Sequence, residues 1–140
     1  MPEKIEQEVL EANKRFYDAL ESLDIDQMGS IWLHESWVKC VHPGWGPISG
    51  WENVRQSWEA IFQNTQAIRV RLTGQSIRMI GDFAWVSCIE NIANRLDASL
   101  DAAEAFTTNL FLRRDNRWWI ILHHSSLLPA IKPFSEITIQ

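Results

Sequence analysis

Apolar residues in the first part of the chain recur every three or four positions, which is the spacing of one face of a helix. This pattern predicts an amphipathic helix from about Pro2 to Ser22. Asp24, followed three residues later by Gln27, has the form of a capping box and predicts a short second helix. A third helix is predicted from Trp51, where one stripe contains Trp51, Val54, Trp58, Ile61 and Phe62.

The second half of the chain alternates between apolar and polar positions, which predicts strands over residues 66–80, 83–95, 103–114 and 117–127 after a shorter one at 37–42. Gly81-Asp82 and Asp115-Asn116 are turn signals, and Gly74 is predicted to form a bulge or bend. Residues 96–102 are predicted to be a loop or an irregular extension. Helices followed by a four-strand meander indicate an α+β fold, with helices on one face of a curved antiparallel sheet and a cavity at its open end.

Chain length and net charge indicate how many domains to expect and which kinds of partner are disfavoured. The chain has 140 residues, so we expect residues 1–140 to form one domain. With 13 Lys+Arg against 18 Asp+Glu the net charge is −5, which argues against nucleic-acid and anionic membrane partners. The charged N-terminus lacks the apolar stretch of a signal peptide, so we expect a cytoplasmic protein. Cys40 and Cys88 lie in apolar strands and are predicted to be buried free thiols.

Tryptophan is the compositional outlier, with eight residues in the chain. Each can bury on the order of 150–250 Å² of surface. Such residues either fill the core and subunit interfaces or line a ligand cavity, and the sequence leaves both alternatives open. They are Trp32, Trp37, Trp45, Trp51, Trp58, Trp85, Trp118 and Trp119.

Several stretches, taken in order, resemble one superfamily. They are RFYDALESLDIDQM, VHPGW, GWENVRQSW, GDFAWVSC and TTNLFLRRDNRWWIILHHSS. Together they resemble SnoaL-like proteins of the nuclear transport factor 2 superfamily (NTF2-like) over about residues 5–130. The resemblance implies a cone-shaped curved antiparallel sheet with three N-terminal helices packed on its concave face. That fold hosts isomerases, cyclases, dehydratases, binding modules and assembly domains, so it does not identify an activity.

The ketosteroid isomerases of this superfamily offer three positions for comparison. Phe16 stands where those enzymes have a tyrosine that donates to the steroid oxygen, and Tyr17, about 100° further round the helix, is expected to point elsewhere. His42 takes the place of the aspartate base. Asn109 takes the place of the second oxygen-binding acid. These differences argue against steroid isomerisation and for a modified pocket.

Strand alternation predicts which side chains face that pocket. Cys40 and His42 are expected inward on the first strand, and Thr107, Asn109 and Phe111 inward on the penultimate one. On the last strand the alignment places Trp119, Ile121, His123 and Ser125 inward. A one-residue slip would exchange His123 for His124.

These positions give the candidate site residues. His42 can accept or donate a proton near neutral pH, unless loop backbone groups satisfy it as a structural histidine. Asn109 can donate to a substrate oxygen or be a buried amide that ties strands together. His123 could pair with His42, as the histidines of related dehydratases do. Glu90 could be a pocket acid, but an ion pair with an arginine is favoured. The predicted ligand-binding residues are Phe16, Tyr17, Trp45, Trp58, Trp85, Phe111 and Trp119.

No metal or cofactor is expected. His123 and His124 point to opposite faces of a regular strand, and the glycines of HPGWGP lack phosphate-loop spacing. The outer face of the penultimate strand carries Phe106, Thr108, Leu110 and Leu112, an apolar stripe that predicts a homodimer. Three functions remain open: an acid–base isomerase, cyclase or dehydratase acting on a small apolar molecule, a non-catalytic binder of such a ligand, and an assembly domain.

Overall fold

The computed structural model describes residues 2–96 and 99–129. A long helix and a short one are followed by two short strands, a third helix and four long strands. The six strands form one sheet in the order β2-β1-β6-β5-β4-β3, in which β1 runs parallel to β6 and all other neighbours are antiparallel. In chain order the elements are α1 (Pro2–Ser22), α2 (Ile25–Gly29), β1 (Lys39–Val41), β2 (Ile48–Ser49), α3 (Trp51–Gln63), β3 (Ala67–Ile80), β4 (Phe83–Leu96), β5 (Ser99–Arg114) and β6 (Arg117–Leu127).

Helix α1 packs its apolar stripe against β3, β4 and β6. The stripe is wide, because buried residues occupy both the i+3 and the i+4 positions of successive turns. Phe16 and Tyr17 are therefore both buried, with exposures of 0% and 5%. Tyr17 was expected to point elsewhere than Phe16, and it too lies in the interior, since a stripe this wide accommodates two adjacent residues.

Two bulges bend the long strands. The register of β3 on β4 shifts between Thr73 and Ser76, where Gly74 adopts a φ of 62°, as its bulge signal predicts. A second shift falls where Leu110 pairs with Leu122 and Phe111 pairs with Ile120, which leaves Ile121 as the extra residue of β6. Because a bulge reverses the alternation, Trp118 and Ile120 are inward before it and His123 and Ser125 are inward after it.

The cap of α2, the connection between β4 and β5 and the two cysteines each have a sequence prediction. Asp24 caps α2 by accepting the Asp26 amide hydrogen at 2.9 Å, which confirms the cap although the bond is to Asp26 and not to Gln27. β4 and β5 extend into the segment predicted as a loop or irregular extension, and Leu96 pairs with Ser99. Residues 97 and 98 of that segment lie outside the described residues. Cys40 and Cys88 are buried free thiols, as predicted. No helix in the described part of the chain is long and apolar enough to cross a membrane.

The face of the sheet that points away from the helices is apolar over adjacent strands. Trp85 pairs with Leu110, which pairs with Leu122, and Phe83 pairs with Leu112, which pairs with Trp119. Further along the same face Phe106 is 48% exposed. The stripe predicted on β5 therefore extends sideways into a broader patch, which we call the outer-sheet patch.

Candidate functional site

A cavity of about 560 Å³ opens between the end of α1, helix α3 and the concave face of the sheet. Its volume lies within the range of small-molecule sites. Neither lysine nor arginine is among the described residues that line it, and its single carboxylate is Glu90. The wall is otherwise mostly apolar. The lining residues include Leu20, His42, Trp45, Trp58, Ile61, Ile68, Glu90, Ile92, His123 and Leu127.

His42 lies just after β1 and is 2% exposed. Its Nε2 is 2.8 Å from Ser57 Oγ. Ser57 Oγ donates its own proton to Val54 O at 2.6 Å, so it must accept from His42. His42 Nε2 therefore carries a proton, and Nδ1 has only a weak contact with Cys40 Sγ at 3.8 Å. A side chain on α3, and not loop backbone, holds this histidine.

His123 is held from the neighbouring strand by Asn109. The Asn109 amide donates through Nδ2 to Asn13 Oδ1 at 2.9 Å and to Tyr17 Oη at 3.1 Å. This orientation turns Asn109 Oδ1 toward His123 Nδ1, 2.6 Å away, so that Nδ1 must donate. The His123 proton is thereby fixed on Nδ1. Its Nε2 has no hydrogen-bond partner among the described residues.

Tyr17 continues this network to Glu90. Tyr17 Oη accepts from Asn109 and donates to Glu90 Oε2 at 2.6 Å. Ser125 Oγ donates to Glu90 Oε1 at 3.0 Å and is 2.8 Å from Thr107 Oγ1. All of these side chains are buried. Hydrogen bonds therefore connect two cavity-lining groups, His123 and Glu90, through Asn109 and Tyr17.

Burial lowers the pKa of the two histidines and raises the pKa of Glu90. Removal from water lowers the pKa of His42 to about 4. It also lowers the pKa of His123 well below its usual value, with further lowering by the charges of His42 and His124. Burial raises the pKa of Glu90, although the hydrogen bonds from Tyr17 and Ser125 oppose the shift. Both imidazoles are therefore held neutral, while the carboxyl keeps its proton more tightly than an ordinary glutamate.

Aromatic rings surround the two histidines. The His42 ring makes edge contacts with Trp45 at 4.8 Å and Trp58 at 4.5 Å between ring centroids. Phe16 lies beneath His123 at 4.7 Å and also contacts Trp58 at 5.7 Å. The centroids of the two imidazoles are 6.4 Å apart. Trp45 is 47% exposed and forms part of the cavity rim, whereas Trp58 is buried.

Comparison with known families and structures identifies the chain. The profile of the SnoaL-like domain matches residues 9–131. The chain belongs to the SnoaL-like family. A proposed dehydratase of the NTF2-like family from Streptomyces avermitilis is 34% identical to this SnoaL-like chain, with a TM-score of 0.88, and the match covers 93% of this chain and 100% of that one.

Two other proteins similar to this SnoaL-like chain are an association domain and an F-box protein. A proposed calcium/calmodulin-dependent protein kinase type II association domain from Thiobacillus denitrificans is 25% identical with a TM-score of 0.69, covering 84% of this chain and 93% of that one. The F-box protein SKIP8 of Arabidopsis thaliana is 27% identical over 120 residues, or 86% of this chain. The SnoaL-like chain spans about half of that relative's length, 49%.

The structure of this SnoaL-like protein brings the three predicted catalytic residues together. His42 and His123 line the same cavity, and Asn109 lies behind His123 as a buried amide tying three elements. The inward orientation predicted for His123 is confirmed, and His124 is exposed on the other face. The chemical roles of these residues stay predictions.

The predicted ligand-binding residues separate into two groups. Trp45 and Trp58 line the cavity, while Phe16, Tyr17 and Phe111 are buried behind it. Trp85 lies on the outer-sheet patch, where alternation along β4 places it opposite the inward Ala84 and Val86. Trp119 also lies outside, because the bulge at Ile121 reverses the face of β6. Its indole donates to Arg114 O at 3.0 Å. Neither Trp85 nor Trp119 is among the described residues that line the cavity.

Two important polar residues were missed or misjudged from the sequence. Asn13 is fully buried and completes the shell of Asn109. Its signal was a polar residue within the apolar stripe of α1, three positions before Phe16. Glu90 was expected to pair with an arginine, but its partners are Tyr17 and Ser125. Among the described residues no group of three His, Cys, Asp or Glu side chains is arranged to hold a metal.

Proposed function

We propose that this SnoaL-like protein is an acid–base lyase or isomerase that moves protons on a small, neutral, largely apolar compound bound in the cavity. The observation that carries the proposal is the pair of neutral imidazoles, His42 and His123, on the wall of one cavity. A neutral imidazole with an unprotonated ring nitrogen can accept a proton from carbon. A neighbouring group that fixes its tautomer is the arrangement expected of an oriented base.

The wall of the cavity supports the choice of substrate class. A carboxylate or phosphate ligand is held best by a cation, and the described lining residues include no lysine or arginine. The lining also contains Asn64, Thr65 and Asn94, of which Asn64 and Thr65 donate to the α3 carbonyls of Ala60 and Ile61. Trp45, Trp58 and the aliphatic residues provide an apolar surface for a planar or cyclic compound. The similarity to a proposed dehydratase supports elimination of water as the reaction type.

We assign the role of base to His123. Its Nδ1–H donates to the Asn109 carbonyl oxygen at 2.6 Å, and a strong acceptor on one ring nitrogen increases the basicity of the other. His42 donates to a hydroxyl at the longer distance of 2.8 Å. His123 Nε2 would take the proton from the substrate carbon, while Asn109 keeps the imidazole in the required tautomer.

A general elimination substrate tests this role before the natural substrate is known. Base attack on 5-nitrobenzisoxazole removes the proton from carbon and breaks the N–O bond, giving a coloured cyanonitrophenolate. We expect the protein to accelerate this reaction over buffer and His123→Gln to lower kcat/KM by ~10²-fold, because the variant lacks the base. The measurement is the initial rate of phenolate formation at neutral pH.

The chain provides a matched control in the adjacent residue. His124→Gln makes the same chemical change on the exposed face of the same strand and should retain the wild-type rate. Equal losses in the two variants, or a wild type no faster than buffer, would contradict the proposed role of His123. In the second case the cavity would be better explained as a non-catalytic binding site for an apolar ligand.

We also propose that the protein assembles as a homodimer through the outer-sheet patch. Phe83, Trp85, Phe106, Leu110 and Leu112 form an apolar surface that a monomer would leave in contact with water. The similarity to a proposed association domain supports assembly through this fold. The partner is a second copy of this chain, since identical sheet faces can pair by twofold symmetry.

Phe106→Glu should convert the dimer to a monomer. The substitution places a charge in the patch at a residue that is 48% exposed, so the fold itself should survive. Sedimentation velocity or light scattering measures the mass, and circular dichroism checks the fold. Gln56→Glu, on the exposed side of α3, introduces the same charge elsewhere and should leave the mass unchanged. A wild-type monomer would refute the dimer.

A further inference from the structure

Glu90 is a buried carboxyl group that takes no part in the base role proposed for His123. It is 2% exposed, lines the cavity, and has no cationic side chain as a partner among the described residues. Buried carboxyl groups are normally paired with a cation or kept protonated, because isolated charge is costly away from water. The hydrogen bonds around Glu90 decide where such a proton can reside.

The first constraint comes from the Tyr17 side. Asn109 Nδ2 donates to Tyr17 Oη, and the tyrosine hydroxyl directs its own proton to Glu90 Oε2 at 2.6 Å, which is a closer and better acceptor than Cys88 Sγ at 3.9 Å. A proton on Oε2 would face the tyrosine proton across 2.6 Å. With the tyrosine proton directed in this way, Glu90 Oε2 is the bare oxygen and acts as an acceptor.

The second constraint comes from the Ser125 side, where the direction of the hydrogen bonds can reverse. Ser125 and Thr107 are both hydroxyls, 2.8 Å apart, and either can be the donor. If Ser125 turns its proton to Thr107, Ser125 Oγ can accept from a protonated Glu90 Oε1, 3.0 Å away. The protonated carboxyl then keeps every hydrogen bond it had when ionised. Oε1 is therefore the oxygen of Glu90 on which these hydrogen bonds place a transferable proton.

We propose that Glu90 is the general acid of this site, donating the Oε1 proton to the leaving oxygen of the substrate while His123 Nε2 removes the proton from the adjacent carbon. This inference rests on the proposed function. The C–H electron pair becomes the new π bond and the C–O electron pair leaves with oxygen. That oxygen takes the Glu90 proton and departs as water. Glu90 is left as a carboxylate and His123 as an imidazolium, and cavity water returns the proton from one to the other.

The order of proton affinities supports this division of roles. Burial raises the pKa of Glu90 above 4.5 and lowers that of His42 to about 4, and that of His123 is also lowered. Sites that push two groups apart in this way indicate which is the acid and which the base.

The dependence of the rate on the leaving group distinguishes a general acid from a purely structural residue. A general acid helps more when the leaving oxygen is more basic. Unsubstituted 1,2-benzisoxazole releases a more basic phenolate than its 5-nitro derivative. We expect Glu90→Gln to lower kcat for the unsubstituted compound by ~10-fold or more, and for the nitro compound by less than ~3-fold. His123→Gln should lower both rates.

Glutamine is a suitable replacement because it keeps the shape and hydrogen bonds of the protonated acid. Its oxygen can accept from Tyr17 and its amide can donate to Ser125, which turns to Thr107. Glu104→Gln, an exposed carboxylate on β5, is the matched control and should leave both rates unchanged. Equal losses for both compounds in Glu90→Gln would overturn the acid role and leave the proposed base intact. A wild type inactive on both compounds would overturn both assignments.

An infrared difference spectrum tests the acid role independently of turnover. Wild type minus Glu90→Gln at neutral pH should show the carbonyl band of a protonated carboxyl, and the band should disappear only at higher pH. A band that disappears at the pH where ordinary glutamates ionise would show that Glu90 has no proton to donate near neutrality, and the inference would fail even for an active enzyme.

Discussion

Replacing Asn109 with leucine is expected to lower the free energy of unfolding by about 3–5 kcal/mol, or the melting temperature by ~10 °C or more. The leucine has a similar volume but removes one acceptor and two donated hydrogen bonds at once. His123 Nδ1–H, Tyr17 Oη and Asn13 Oδ1 would then lack the partner they have in the wild type. Each unsatisfied buried group costs about 1–3 kcal/mol, and rotation of a neighbour recovers part of that loss. Thermal and urea unfolding measure the change.

Asn91→Leu is the control for this prediction. Asn91 also donates two hydrogen bonds, to Arg71 O and Thr73 Oγ1, but it does so at the surface where water can replace them. Its substitution should change stability by less than ~0.5 kcal/mol. A stability of Asn109→Leu equal to or above that of the wild type would show that the buried amide is held under strain for function alone. The expected loss shows instead that one residue supports the fold and orients the base.

The sequence predicts well those elements whose buried face follows from a single repeat of apolar residues along the chain. The apolar stripe of α1 and the alternation along β5 depend only on neighbouring residues, and both place the expected side chains inside. Asn109 and Thr107 were placed correctly because β5 runs regularly through them. Gly74 identified its bulge because glycine without a side chain is favoured where φ is positive.

The features that could not be predicted depend on contacts between distant elements. The bulge at Ile121 has no glycine to signal it, so alternation counted from His123 placed Trp119 on the wrong face. Glu90 contacts residues 73 positions before it and 35 positions after it along the chain. A single carboxylate within an apolar strand indicates that a partner exists, but only the packed structure shows that the partners are hydroxyls. The role of Asn13 depended in the same way on its hydrogen bond with Asn109, 96 positions later in the chain.

Acidification from pH 7 to pH 4 is expected to lower the free energy of unfolding by about 3 kcal/mol through His42 alone, since each pKa unit corresponds to about 1.4 kcal/mol. The folded pKa of His42 is lowered from 6.5 to about 4. The unfolded chain therefore binds a proton at a pH where the folded protein does not. The contribution of His42 to the free energy of unfolding is fully present above pH 6.5 and is lost as the pH falls toward 4. His123 adds to this loss, because its pKa is lowered too.

His42→Gln should remove most of the His42 contribution, since glutamine can still donate to Ser57 and does not titrate. Urea unfolding at several pH values measures the difference in slope, and His124→Gln, on the exposed face, should follow the wild type. An unchanged acid slope in His42→Gln would mean that the imidazole is not held neutral by burial.

Glu90 should make the free energy of unfolding change with pH in the opposite direction. Its folded pKa is raised, so the folded protein retains a proton that the unfolded chain has lost, and stability falls as pH rises from 4.5 through the folded value. The two pH windows overlap above pH 4.5, so the contributions of Glu90 and His42 oppose each other there and the single variants separate them. Glu90→Gln should remove a loss of stability with rising pH, and His42→Gln should remove a loss of stability with falling pH. Opposite changes in the two variants would show that the carboxyl and the imidazole keep opposite protonation states in the resting protein, which is the condition for one to give a proton while another accepts one.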